Sequence, residues 1–277
     1  KRSEMLGALR QDLVIALRQV RANWALTIAV MLTLGLGIGS TTALFSVVNA
    51  VLLRPLPYQD ADRVVILWER IGEDGRGRAS VGHFHDWTEQ SNVLEHTTAM
   101  RFVNYSITGD GDPERAAGAR VTARFFDVQH MPPALGRYFL PSETPESRVV
   151  VLSYELWQSR FAGDRSIVGR EITLNNENHT VIGVTPRGYS LSEYDQRLWT
   201  PLGFEPDQRS IYGAHSLLVV GELKPGVTVE GAQADLERVT EGIRAKVPTE
   251  MENRSVLVEP LVDSLIGGFR RHLWVLM

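Results

Sequence analysis

Residues 24–53 read WALTIAVMLTLGLGIGSTTALFSVVNAVLL, thirty positions without one charged side chain. A soluble core helix needs no such run, whereas crossing a hydrocarbon layer takes about 20 apolar residues in helical form. The stretch is therefore expected to be a membrane-spanning helix. A cleaved secretory signal is the competing reading, but its apolar core is only about 7–15 residues long. Residues 1–21 carry Lys1, Arg2, Arg10, Arg18 and Arg21 against Glu4 and Asp12. Cytoplasmic flanks hold the excess of basic residues, so the N-terminus is expected inside and the chain from Arg54 onward outside the cytoplasm.

Within the span, Gly35, Gly39 and Ala43 recur every four residues and form one smooth stripe, where a neighbouring helix can approach closely. Before it, Met5, Leu6, Leu9, Leu13, Leu17 and Val20 follow helical spacing. That amphipathic helix fits equally a membrane-surface position or packing on a partner protein.

Composition narrows the function classes. A formal charge of −4 provides no basic field for nucleic acid, and the absence of cysteine removes disulfides, thiolate metal sites and a cysteine nucleophile. The lysines are Lys1, Lys224 and Lys246, none in a G-K-[ST] setting, so the chain has no Walker A loop.

The remainder alternates strands and helices. The prolines of Arg54-Pro55-Leu56-Pro57 end the membrane helix, and Arg63–Glu69 (RVVILWE) reads as a buried strand. Gly72–Gly77 reads as a charged, mobile loop. Ser80 caps a helix to about Asn92, and a hairpin of Thr97–Thr108 with Arg115–Thr122 follows. Further on come a short helical turn at Ala123–Gln129, a VVVLS strand, a helix capped by Ser153, and strands Glu171–Leu174 and His179–Val184 joined at Asn175-Asn176. Residues 186–213 read as loop with one strand near Leu198. The last part repeats the first: strand Ser216–Leu223, a helix capped by Thr228 with Ala232, Leu236, Val239, Ile243 and Val247 on one face, and strand Arg254–Pro260. The pattern implies an α+β fold: strand–helix–strand units at both ends closing one subdomain, with a second subdomain inserted between them. The apolar LWVLM at the C-terminal end reads as the start of a second membrane helix.

Catalytic signals are weak. His83, His85 and Asp86 in GHFHDW would make metal ligands on a strand, but on a helix the two histidines diverge and no third ligand is signalled, so both are read as exposed polar positions. Glu193 and Asp195 read as acidic loop residues rather than an acid–base pair. Trp68, Trp87, Trp157 and Trp199 each adjoin apolar elements and are expected in the core. The residues thus point to no catalytic group, metal ligand or cofactor.

Several runs together carry a family resemblance: NAVLLRPLPYQDADRVVILWE (Asn49–Glu69), LGRYF (Leu135–Phe139), Val149–Val184, and LKPGVTVEGAQADL (Leu223–Leu236). In this order they resemble MacB-like, FtsX-type permease subunits of ABC transporters, and are most similar to the duplicated permeases of acidobacteria. The resemblance implies an inner-membrane permease with four membrane helices per repeat and a periplasmic domain between the first and second. That domain would combine a porter-like subdomain with a β-rich insertion. It also implies no catalysis in this chain, a separate ABC ATPase, a permease dimer or duplicated pseudo-dimer, a periplasmic adaptor in some systems, and efflux or mechanotransmission as the work done. The expected divisions are a cytoplasmic amphipathic helix (1–22), the membrane helix (23–54), porter-like halves (55–122 and 214–265), the insertion (123–213) and the second membrane helix from 266. A membrane-anchored ligand-binding or sensor domain working without an ATPase is the alternative.

Overall fold

The computed structural model describes residues 15, 18–19, 21–48, 61–72, 75–109, 111–189 and 195–264. The expected amphipathic helix over 4–20, apart from positions 15 and 18–19, the Arg54–Pro57 break and the second membrane helix from 266 lie outside them. The chain divides into two compact units, 1–55 and 56–277.

The described part of the first unit is dominated by one helix, α1 (Trp24–Val48), and its apolar stretch is long enough to cross a membrane. At about 1.5 Å per residue it reaches about 37 Å. Its apolar side chains, among them Trp24, Leu26, Met31 and Leu36, are exposed rather than packed into a core. Its hydroxyls are satisfied internally: Thr33 donates to the Ala29 carbonyl (2.8 Å), Ser40 to Leu36 (2.7 Å), Thr41 to Gly37 (2.8 Å) and Thr42 to Ile38 (2.7 Å). Such back-bonding removes any need for water, which a hydrocarbon surrounding cannot supply.

The second unit is built on one mixed sheet. Its strands are β1 (Val64–Ile71), β2 (Gly75–Gly77), β3 (Leu94–Thr108), β4 (Glu114–Val121), β5 (Leu135–Gly136), β6 (Val149–Leu152), β7 (Glu171–Leu174), β8 (Glu177–Val184), β9 (Leu198–Pro201), β10 (Leu217–Leu223) and β11 (Arg254–Pro260). Their order is β11-β1-β10-β3-β4-β9-β6-β8-β5, with β2 on β1 and β7 bridging β3 and β8. Most pairs are antiparallel; β4 with β9 and β6 with β8 are parallel.

Alternation along the strands divides the core. Val65 and Leu67 point to one face, with Leu217, Val219 and Leu223, and are covered by α2 (Val81–Gln90) and α4 (Val229–Lys246). Val64 and Ile66 point to the other face, with Leu218, Val220, Met100, Phe125, Phe126 and Trp199. A third cluster packs α3 (Tyr154–Phe161) through Leu156, Trp157 and Phe161 against Leu152, Ile172 and Leu198. Each helix starts where the sequence places a cap: Ser80, Ser153 and Thr228 accept from the backbone N–H groups of His83, Leu156 and Gly231. Asn175 and Asn176 take positive φ (50° and 69°) and turn β7 into β8.

Gly72–Gly77 departs from the mobile-loop expectation, because Gly75–Gly77 folds back on β1 as β2. A side chain on Gly75 would bring its Cβ to 2.4 Å from the Ile71 carbonyl oxygen, so glycine allows the close return. Nothing in the side-chain pattern of such a strand marks it as one.

The alternation also brings the ends of the domain together: Val65 near the start of β1 faces Pro260 at the end of β11. Beyond β5, Arg137 grips Glu143 through both carboxylate oxygens (2.7 and 2.9 Å). That grip, opposed by burial and helped by the Leu140 N–H, holds the Glu143 carboxyl below its ordinary range.

Two outcomes follow. Leu236 is fully buried against the sheet, and Leu236→Ala is expected to cost about 3 kcal/mol in chemical denaturation. A carboxyl whose folded-state pKa lies below the unfolded one stabilises fully above the unfolded value and loses that stabilisation as pH falls through the folded one. Glu143→Gln should therefore cost about 1 kcal/mol or less at pH 7, and the difference should close as the pH is taken down toward about 2.

Candidate functional site

The alternation that sends Val65 and Leu67 toward α2 and α4 sends Glu69 the same way, placing a carboxylate where an apolar side chain is expected. It is completely buried. Four other elements converge on it. The first turn of α2 brings His83, also completely buried; the segment before β10 brings His215, 24% exposed. The start of β11 brings Arg254, and the turn between α4 and β11 brings Met251.

The distances are short. Arg254 Nη1 donates to Glu69 Oε2 at 2.8 Å. His215 Nδ1 lies 2.7 Å from the same oxygen, at an angle that makes no hydrogen bond. His83 Nε2 lies 3.5 Å from Glu69 Oε1 and 3.0 Å from Met251 Sδ. His83 Nδ1 sits 2.7 Å from Ser80 Oγ, the same oxygen that caps the helix. Glu69 Oε1 has no hydrogen-bond partner among the described residues.

Burial dominates the electrostatics. It pushes the Glu69 carboxyl up to about 7, even against the pull of Arg254. It pushes His83 down to about 4, helped by the neighbouring His215 and Arg254. His215 is lowered too, by burial first and Arg254 second. Both imidazoles are thus neutral at pH 7, and the contact of His83 with Glu69 is no ion pair.

Around this group stands a second polar cluster, centred on Asp86. Tyr212 donates to Asp86 Oδ2 (2.7 Å) and Lys246 Nζ donates to Asp86 Oδ1 (3.0 Å). The Tyr212 ring stands edge-on to His83 at 5.5 Å and presses against Gly82, where a Cβ would come within 2.6 Å of it.

The sequence-selected residues fare unevenly. His83 is a core residue, not an exposed one, because α2 lies with its first turn against the sheet. His85 turns away, as expected for a helix, onto the rings of Phe84 (5.3 Å) and Phe204 (5.5 Å). The third ligand type near His83 comes from Glu69 and His215, fourteen positions before it and 132 after, which no local motif could reveal. Asp195 is exposed, and Glu193 lies outside the described residues. Trp87, Trp157 and Trp199 are core residues, while half-buried Trp68 donates to Glu259 (2.9 Å). On α1, a Cβ on Gly35 or Gly39 would meet no described atom within 4 Å; the side chain of Ala43 lies outside the described set.

The model of the MacB-like periplasmic core domain family matches residues 27–239. The chain belongs to that family. This periplasmic core domain also has the fold of three solved permease regions. A domain of a putative permease from Porphyromonas gingivalis has a TM-score of 0.57 at 17% identity, covering 73% of this chain and 92% of its own. The periplasmic region of MacB from Actinobacillus actinomycetemcomitans has a TM-score of 0.54 at 13% identity, covering 77% and 93%. The extracellular domain of the noncanonic ABC-type transporter YknZ from Gram-positive bacteria has a TM-score of 0.52 at 12% identity, covering 70% and 99%. No curated protein matches the chain. The α+β class and the MacB-like resemblance read from the sequence both hold.

Removing the phenolic hydroxyl of Tyr212 leaves the buried Asp86 with the hydrogen bonds from Lys246 and Gln90. Tyr212→Phe is expected to cost about 1–2 kcal/mol in chemical denaturation.

Proposed function

We propose that this chain is the first membrane helix and the periplasmic core domain of a permease subunit in a MacB-like ABC transporter, passing work from cytoplasmic ATP hydrolysis to efflux or another task in the periplasm. One observation carries the reading beyond family membership: the first and last strands of the domain lie side by side, with Val65 opposite Pro260. A domain inserted between two membrane helices needs its ends together, and here the first and last strands pair with each other along the sheet.

The basic excess over residues 1–21 supports a cytoplasmic N-terminus and a periplasmic main domain. Hydrolysis resides on a separate ATPase subunit, and this chain is non-catalytic. The permease acts as a dimer or duplicated pseudo-dimer, with a periplasmic adaptor as a further partner. Gly35, Gly39 and Ala43 form the face of α1 on which another membrane helix packs, since small residues allow backbones to approach in lipid. Residues 55–122 and 214–265 form the porter-like part, and 123–213 the β-rich insertion. Support for that division comes from β1, β10 and β11, drawn from both ends of the chain and adjacent in the sheet.

The deciding experiment is purification of the full-length protein from detergent-solubilised membranes. A stoichiometric ATPase is expected to accompany it, with hydrolysis that depends on the permease. Recovery of a folded, anchored protein without any ATPase would overturn the reading in favour of a membrane-anchored binding or sensor domain. In the same preparation, Gly39→Ile should lower recovery of partner subunits several-fold while leaving the periplasmic domain folded.

A further inference from the structure

Glu69, His83 and His215 each present one ligand atom, and the three atoms lie within 4.8 Å of one another. The geometry points to a binding site for a first-row transition-metal dication of zinc type, held by Glu69 Oε1, His83 Nε2 and an imidazole nitrogen of His215. The inference is independent of the transporter reading.

The first argument is chemical type. Two imidazoles and a carboxylate are a common zinc donor set, with the fourth position left for water or another group. The second is hydrogen bonding. Among the described residues, Glu69 Oε1 is fully buried and has no hydrogen-bond donor, and His215 Nδ1 is likewise without a hydrogen bond. Protein interiors seldom leave such atoms unpaired, because each costs about 1–3 kcal/mol. Around Oε1 stand His83 Nε2 and, beyond it, the Met251 thioether, which can only accept. In the Nδ1–H tautomer, which metal binding through Nε2 requires, His83 donates to Ser80 Oγ and turns the Nε2 lone pair toward Glu69 Oε1 and Met251 Sδ. One small cation satisfies them together.

The third argument is orientation. Metal-bound histidine usually gives its other ring nitrogen to an outer partner, and the metal-bound carboxylate is itself held by hydrogen bonds. Ser80 supplies the first of these and Arg254, on Glu69 Oε2, the second.

The fit requires modest movement. Ligands about 2.0–2.2 Å from a tetrahedral zinc stand about 3.3–3.6 Å apart. Glu69 Oε1 and His83 Nε2, at 3.5 Å, already meet that spacing. The half-exposed His215 supplies the remaining approach. Arg254 opposes the dication electrostatically; its side chain is 25% exposed and remains on the other carboxylate oxygen, so it weakens the site without filling it.

The test uses the full chain in detergent, free of any affinity tag and stripped with chelator. Titration with Zn²⁺ by calorimetry is expected to give one saturable site per chain, and Co²⁺ to give the intense visible bands of tetrahedral coordination. His215→Ala and Glu69→Gln should each weaken binding by at least about 10–100-fold, whereas His85→Ala should leave it unchanged. Because His215 is partly exposed, its variant is the one expected to stay folded, and circular dichroism on it separates loss of a ligand from loss of the fold. Absence of stoichiometric binding to the unaltered chain, or undiminished binding in a folded His215→Ala variant, would overturn the assignment.

Discussion

The sheet domain depends on the burial of β10 on both faces and its pairing along both edges. It bonds to β1 on one side and β3 on the other, and every residue from Leu217 to Leu223 is buried. Leu217 and Val219 meet the helices, while Leu218 and Val220 meet the aromatic cluster around Phe126 and Trp199. A strand formed near the end of the chain thereby closes a sheet begun near its start. The two halves cannot bury their cores separately, since each supplies neighbours for the other.

That closure explains the polar knot at Glu69. The carboxylate lies on β1 facing inward, and His215 and Arg254 are carried in by the segments flanking the C-terminal half. Desolvation raises the Glu69 pKa more than Arg254 lowers it, so the attraction between them does not offset the cost of burying the charge. A buried group of that kind is weak support for stability.

The membrane helix obeys a different constraint. Its surface is apolar all round, so it has no single face to bury and no preference for the core. Side-chain hydroxyls turn inward to backbone carbonyls.

The membrane helix, the three caps at Ser80, Ser153 and Thr228, the apolar face of α4 and most strands were legible in the sequence, because each is set by interactions within a few residues. Even Arg254–Pro260, a short segment, was visible as a strand from its alternation. The pairing order of the strands was not, nor was β2, whose glycines carry no pattern. The buried metal-ligand cluster was hidden for the same reason. His83 looked like an exposed helix residue, and Glu69 like the end of a strand, until β10 and β11 brought His215 and Arg254 across nearly two hundred positions. The sequence by itself determined the local elements and, through several motifs in order, the family. Only the tertiary structure decided which side chains share a site, because hydrogen-bonded pairing between distant strands, not local propensity, sets those distances.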